Sequence, residues 1–145
     1  MYIERVSEVT PELEKALQRL IPQLGVHKIP PTREELNELI QSEASILLTA
    51  REVDKSSPIA GVLCLTIYRV LTGRRSLIED VIVDENMRRR GIGEALVRKA
   101  IELAREAGAE SVSLTSNPSR EAANRLYQSM GFQLRQTNPY FYKIK

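Results

Sequence analysis

Residues 78–93, IEDVIVDENMRRRGIG, join two patterns of different period. Around the first half, Leu77, Glu79, Val81 and Val83 alternate with Ile78, Asp80 and Ile82, the period-two pattern of a strand rich in β-branched residues. From Ile92 onward, Ala95, Leu96, Ala100, Leu103, Ala104 and Ala107 recur at helical spacing, and Gly108 closes the run as a helix-ending glycine does. Ser111 to Thr115 then reads as another short strand. A strand, a helix and a strand between residues 77 and 115 make a crossover of the length that joins parallel strands. The chain is therefore expected to build a mixed sheet with helices packed on it.

Working outward, Arg75 to Val83 is preceded by two β-branched runs, Ser45 to Val53 and Ile59 to Val70, which the turn-forming segment DKSSP separates. Three successive strands with short turns predict an antiparallel meander. Before them, Tyr2 to Val6 is a strand candidate. Thr10 and Pro11 open a helix carrying Leu13, Leu17 and Leu20, which is expected to end near Pro22. GVHKIPP (25–31) is a loop, and Thr32 with Glu35 forms a capping box ahead of Leu36, Leu39 and Ile40. Beyond residue 115, Asn117-Pro118-Ser119 leads into a helix bearing Ala122, Ala123, Leu126 and Met130, with Gly131 at its end. Phe132 to Leu134 and Tyr140 to Ile144 are predicted as closing strands.

Composition bounds the function. A length of 145 residues, 42% hydrophobic and 28% charged, is that of one ordinary domain, taken as 1–145, and no apolar run is long enough to span a bilayer. MYIERVSEVTPELEK has no signal-peptide apolar core, which points to the cytoplasm. A net charge of +2 with the signs mixed along the chain disfavours a nucleic-acid partner. Cys64 is the only cysteine, so it forms no intrachain disulfide, and without a matched histidine it is a poor nucleophile. His27, beside Lys28 in a loop, reads as a surface residue. No metal-ligand spacing is present.

The three arginines and two glycines of RRRGIG have a physical reading. A glycine-bearing turn between strand and helix leaves backbone N–H groups unpaired at the positive end of the helix dipole, which is an anion site. Gly91 and Gly93 let a phosphate approach the backbone, and arginines add charge-assisted hydrogen bonds. A pyrophosphate suits it. The Gly-Lys-Ser/Thr of a nucleoside-triphosphate loop and the third glycine of the dinucleotide fingerprint are both missing.

Together with NPSREAANRLYQSMGF (117–132), this stretch resembles the signature blocks of the GCN5-related N-acetyltransferase (GNAT) superfamily. The matching residues are Arg88, Gly91 and Gly93 in the first block, and Ala123, Leu126, Tyr127, Gly131 and Phe132 in the second. The resemblance covers roughly residues 59 to 142 and implies an α/β (α+β) fold: a mixed, mostly antiparallel sheet with helices on both faces and a splayed pair of parallel strands, 77–83 and 111–115. It implies an N-acetyltransferase that moves the acetyl group of acetyl-CoA directly to a primary amine of a small molecule or a protein. It further implies that no metal or membrane takes part and that the protein is a monomer or homodimer. The alternative reading is a non-catalytic CoA-binding regulatory domain of the same fold.

The resemblance also implies roles. Glu79 lies where many members place a general base, with Asp80 the weaker candidate and an ion pair to Arg74 or Arg75 the structural alternative for Glu79. Tyr127 lies where a phenol protonates the leaving thiolate. Main-chain groups of Val81, Ile82 and Val83 would meet the oxyanion and the pantetheine amides, and Arg88, Arg89, Arg90, Gly91, Ile92, Gly93 and Glu94 would form the pyrophosphate turn. Arg89 and Arg90 are equally placed to reach the 3′-phosphate or to face water. Asn117, Arg120, Asn124 and Tyr127 complete the cofactor side, although Arg120 occupies a place where many members carry asparagine. Residues 24–31 and 71–75 are expected to line the acceptor side.

Overall fold

The computed structural model describes residues 1–145 and divides into two compact units, 1–114 and 115–145. The first is a five-stranded sheet in sequence order: β1 (Tyr2–Arg5), β2 (Ser45–Arg51), β3 (Ile59–Val70), β4 (Gly73–Val83) and β5 (Val112–Leu114). The pairs β1–β2, β2–β3 and β3–β4 are antiparallel, as the meander predicts, and β4–β5 is parallel, as the crossover requires.

Helix α1 (Pro11–Leu20) starts where expected. Thr10 Oγ1 accepts from the Leu13 amide at 3.1 Å, and Pro11 fills a position whose N–H has no intrahelical use. It ends in a 3₁₀ turn over Ile21–Leu24. Helix α2 (Arg33–Gln41) carries both halves of the capping box: Thr32 Oγ1 accepts from the Glu35 amide at 3.1 Å, and Glu35 Oε1 accepts from the Thr32 amide at 2.9 Å. Leu13, Leu17 and Leu20 of α1 and Leu36 of α2 bury themselves with Leu47, Val62 and Ile82 on one face of the sheet.

Helix α3 (Ile92–Glu106) packs on β3 and β4 and buries Ile92, Leu96, Val97, Ala100 and Ala104. Gly61 permits its approach: a methyl group there would stand 3.0 Å from the Ile82 carbonyl oxygen and 3.2 Å from both Ile92 Cγ2 and Leu96 Cδ1. Gly61→Ala is expected to cost about 1–3 kcal/mol by overpacking, read as a lower denaturant midpoint at unchanged slope.

The alternation read from 77–83 needs one correction. Cys64 pairs with Asp80 while Leu65 pairs with Ile78, so Glu79 is the extra residue of a β-bulge. Asp80 and Ile82 face the α1–α2 side, whereas Ile78 is shifted to the opposite face with Leu65. Both Ile78 and Ile82 are buried, and Glu79 and Asp80 are consecutive exposed residues.

In the second unit, α4 (Glu121–Ser129) follows a turn built by Asn117, whose Oδ1 accepts from the Ser119 amide at 2.9 Å and the Ser119 hydroxyl at 2.8 Å. Gly131, at φ +100°, closes the helix, and the Phe132 amide donates to the Tyr127 carbonyl at 3.0 Å. The strands predicted at 132–134 and 140–144 do not form. Leu134, Tyr140, Phe141, Tyr142 and Ile144 are exposed, and no ladder pairs the segment. Alternation gives a strand its two faces but not its hydrogen-bond partner, and Pro139 removes one donor from the segment.

Candidate active site

Beyond Ile78, β4 loses its partner on one side. The parallel ladder joins Ser76 to Val112, Leu77 to Ser113 and Ile78 to Leu114, and stops there, while β4 continues through the Glu79 bulge to Val83. Over 79–83 the strand is paired on its β3 side alone. The Ile82 carbonyl faces Gly61 of β3, so the alternating backbone groups of Val81 and Val83 are the ones on the open strand edge within the first unit, the arrangement that strand-addition ligands use.

The next residues carry the chain to α3. Asp84 is buried, accepts from the Asn86 amide at 3.2 Å, and holds Arg19 Nε of α1 at 3.1 Å. Arg19 Nη2 also donates to the Ile59 carbonyl at 2.7 Å, and Gln23 Oε1 accepts from the Glu85 amide at 3.0 Å. These contacts fix the start of the 88–91 turn to α1, a role that sequence spacing did not signal. Burial pushes the Asp84 carboxyl up, but the Asn86 amide and the Arg19 guanidinium outweigh it and hold the group below its ordinary range.

At the far edge of the sheet, Arg51 grips Glu12 in two parallel bonds of 2.7 and 2.8 Å, and those bonds hold the Glu12 carboxyl below its ordinary range. For both carboxyls the folded value lies below the unfolded one. The stability they contribute is therefore complete above about pH 4–5 and is lost as pH falls through the lower folded values. Thermal melts from neutral to acid pH should fall over that window, and less steeply in a Glu12→Gln, Asp84→Asn double variant.

The turn itself is left-handed twice. Arg89 has φ +66° and Gly91 φ +81°, and Gly91 caps α3 without any side-chain hydrogen bond to the first-turn amides. Arg88 before them is extended, and the amides of Ile92, Gly93 and Glu94, which have no intrahelical partner, open the helix beside this turn. No heavy atom outside the turn lies within 4 Å of where a Gly91 Cβ would stand, so the space over the turn is free, and Val83 Cγ2 is at an ordinary 3.6 Å from the corresponding point of Gly93. A 15-residue helix whose first-turn amides carry no side-chain cap, behind a glycine turn, fits a pyrophosphate.

The arginines are placed unequally. Arg88 Nε donates to the Val83 carbonyl at 3.3 Å, across the turn. Arg90 Nη1 is bound to both Glu52 oxygens at 2.9 Å, and Arg89 makes no ion pair. Glu94 pairs with Arg98 at 3.1 Å along the helix surface.

Glu79, at the bulge, and Asp80, next to it in the chain, have no ion pair; Arg75 instead donates to Thr72 Oγ1 at 2.8 Å. Cys64 lies opposite Asp80, and burial first, then the charges of Asp80 and Glu79, push its thiol up to about 11. It is a thiol at neutral pH and no nucleophile. Asp80 and Cys64 lie on the wall of a cavity of about 570 Å³ between the sheet and the α1–α2 segment. Lys28 of loop 24–31 lies on that wall; no residue of 71–75 does.

In the second unit, Tyr127 is buried, 7% exposed, with its ring edge-on to Phe132 at 5.9 Å. Burial raises the phenol's pKa, against a smaller opposite effect of Arg120. The group stays protonated well beyond neutral pH. Asn124 Nδ2 donates to the Asn117 carbonyl at 2.9 Å and the Arg120 carbonyl at 2.8 Å, which fixes the entry turn of α4. Arg120 supplies no side-chain cap. The Ser116 hydroxyl oxygen, to which no sequence motif pointed, is buried without a partner.

Residues 12–132 match the Acetyltransferase (GNAT) family, and the chain belongs to that family. Membership implies acetyl-CoA as co-substrate and an acceptor for its acetyl group. Among relatives, human N-acetyltransferase 8 is 40% identical over 63 residues, 43% of this chain and 28% of its own length. A probable glucosamine 6-phosphate N-acetyltransferase 2 from Oryza sativa subsp. japonica is 35% identical over 85 residues, 54% of this chain and 49% of its own. The chain thus spans about a quarter to a half of these relatives' lengths. A soil-metagenome aminoglycoside acetyltransferase, solved in complex with trehalose, shares the fold with a TM-score of 0.83 at 23% identity, covering 99% of this chain and 96% of that one. No helix is long and apolar enough to cross a membrane.

Proposed function

We propose that the chain is an acetyl-CoA-dependent N-acetyltransferase that acts by direct transfer to a primary amine, with residues 1–145 working as one domain. The observation that carries this reading is the sequence of features along β4 and α3: a strand edge open beyond Ile78, a bulge carrying two unpaired carboxylates, and an uncapped left-handed turn at Gly91. The family match runs across both compact units, which supports a single working domain.

In this reading the amides of the 88–94 turn hold the pyrophosphate, with Arg88 and Arg89 adding charge. Arg90 braces the turn through Glu52 and does not reach the 3′-phosphate. Main-chain groups of Val81 and Val83 orient the pantetheine arm, with Ile82 between them bound to β3, and the amide at Val81 stabilises the developing oxyanion. Asn117 and Asn124 shape the loop that borders the cofactor, and Arg120 offers its charge to a phosphate. Acetyl-CoA, when bound, supplies an acetyl group activated as a thioester. Glu79 takes the proton of the acceptor ammonium, directly or through water, so that the nitrogen lone pair is free to attack. Tyr127, a phenol whose pKa burial raises further, gives its proton to the departing sulfur, and the second proton that the nitrogen sheds on becoming an amide restores the phenol.

Glu79→Gln tests the base. Its rate should fall most at low pH, where the amine is protonated, and recover in part as pH rises and solvent removes that proton; a pH-independent loss would assign Glu79 a structural role. The whole reading is tested by thiol release from acetyl-CoA across a panel of amines, with melts in acetyl-CoA, ATP and NADH alongside. A rise in melting temperature with acetyl-CoA alone is expected.

A further inference from the structure

The cavity beside the bulge has a composition that selects among amines. Ten of its fourteen lining side chains are Leu, Ile, Val or Pro, drawn from α1, α2, the 24–31 loop and the sheet. The charged side chains on its wall are Lys28, Glu35 and Asp80. Glu35 is committed to its capping box, accepting from the Thr32 amide at 2.9 Å, whereas Asp80 has no hydrogen bond or ion pair of its own. Opposite Asp80 across the β3–β4 pair is Cys64, a neutral thiol pushed up to about 11. One uncommitted carboxylate therefore stands on the wall of a mostly apolar chamber. A volume of about 570 Å³ is that of a small-ligand pocket.

We infer that this cavity is the acceptor subsite and that it takes a primary amine on an apolar body, the ammonium held by Asp80 beside the Glu79 base and the body lying against Leu17, Ile29, Leu39 and Val62. The inference rests on the acetyltransferase reading and narrows it to a substrate class. A polyhydroxylated amine is disfavoured. An amino sugar or aminoglycoside would bring hydroxyls into a chamber with few partners for them, and each unpaired hydroxyl costs free energy on burial. A polyamine would bring a second cation with no second free carboxylate on the wall. Lys28 adds a like charge to that mismatch. A free alkyl or arylalkyl amine and the N-terminus of a peptide with an apolar first residue share the selected chemistry.

The test compares hexylamine, phenethylamine and a peptide beginning with leucine against spermidine, kanamycin and glucosamine 6-phosphate, each with acetyl-CoA and wild-type protein. At least one apolar acceptor should exceed every polar one about tenfold in kcat/KM, and the amine and peptide arms show which source the site accepts. Ile29 is 85% exposed, so Ile29→Asp should fold normally; it should raise KM for the apolar acceptor several-fold and leave acetyl-CoA affinity unchanged. Asp80→Asn should likewise raise KM. A protein that acetylates spermidine or an amino sugar in preference overturns the substrate class and leaves the acetyltransferase reading intact. Absence of thiol release with every amine, together with no melting shift in acetyl-CoA, overturns the acetyltransferase reading itself. Calorimetric titration with phenethylamine alone then decides the cavity: binding that Ile29→Asp weakens supports the apolar subsite, and no binding overturns it.

Discussion

Tyr127→Phe should reduce kcat about 100-fold or more while acetyl-CoA affinity stays within a factor of about two. The substitution removes one oxygen and keeps the ring that meets Phe132 edge-on at 5.9 Å, so the packing inside the second unit is preserved. What disappears is the phenolic proton, present at neutral pH and held more firmly through burial. A proton delivered only as the sulfur departs matters in the transition state and little in the ground state, so the loss should fall on kcat and not on KM for acetyl-CoA. Steady-state kinetics with a thiol reagent measure both. A variant with full turnover would assign Tyr127 to packing alone.

Gly91→Val should produce the second large effect, on binding. Gly91 sits at φ +81°, ψ 8°, where a β-branched residue is a steric outlier, so the turn must deform before valine fits. Deformation tilts the amides of Ile92, Gly93 and Glu94 away from their shared direction. Acetyl-CoA affinity is expected to fall at least about tenfold by calorimetry, corresponding to strain of roughly 1–3 kcal/mol. Arg88→Ala should cost less, because the Arg88 guanidinium reaches the Val83 carbonyl in the structure while the backbone donors stay in place. The space around Gly91 is open, so the strain falls on the local backbone and no neighbouring side chain is displaced; a folded variant with weakened binding is the expected outcome.

Much of this arrangement is legible in the sequence because it is local. Thr10 with Pro11, and Thr32 with Glu35, start helices through contacts spanning three residues, and the structure makes each of them. The strand, turn and helix of residues 78–106 follow from a change of period that neighbouring residues carry by themselves. The bulge is different. Whether LIEDVIV alternates cleanly depends on how β3 pairs with it, and the shift at Cys64 and Leu65 belongs to the pair of strands. Strict alternation put Ile78 on the face of Asp80 and Ile82; the bulge at Glu79 moves Ile78 to the other face with Leu65 and leaves Asp80 on the cavity wall. Partners distant in sequence escaped for the same reason, as with Arg19 and Asp84, or Arg90 and Glu52. The segments 132–134 and 140–144 show the converse: a strand-like pattern without a paired neighbour stays unladdered and exposed.

Acetyl-CoA labelled in its acetyl group, incubated with the wild-type protein and an apolar primary amine, tests the transfer itself. Mass spectrometry should find the label on the amine nitrogen, in one-to-one proportion with free thiol and at a rate that Tyr127→Phe lowers. Intact acetyl-CoA, or thiol released with the label in acetate and none on the amine, would contradict it.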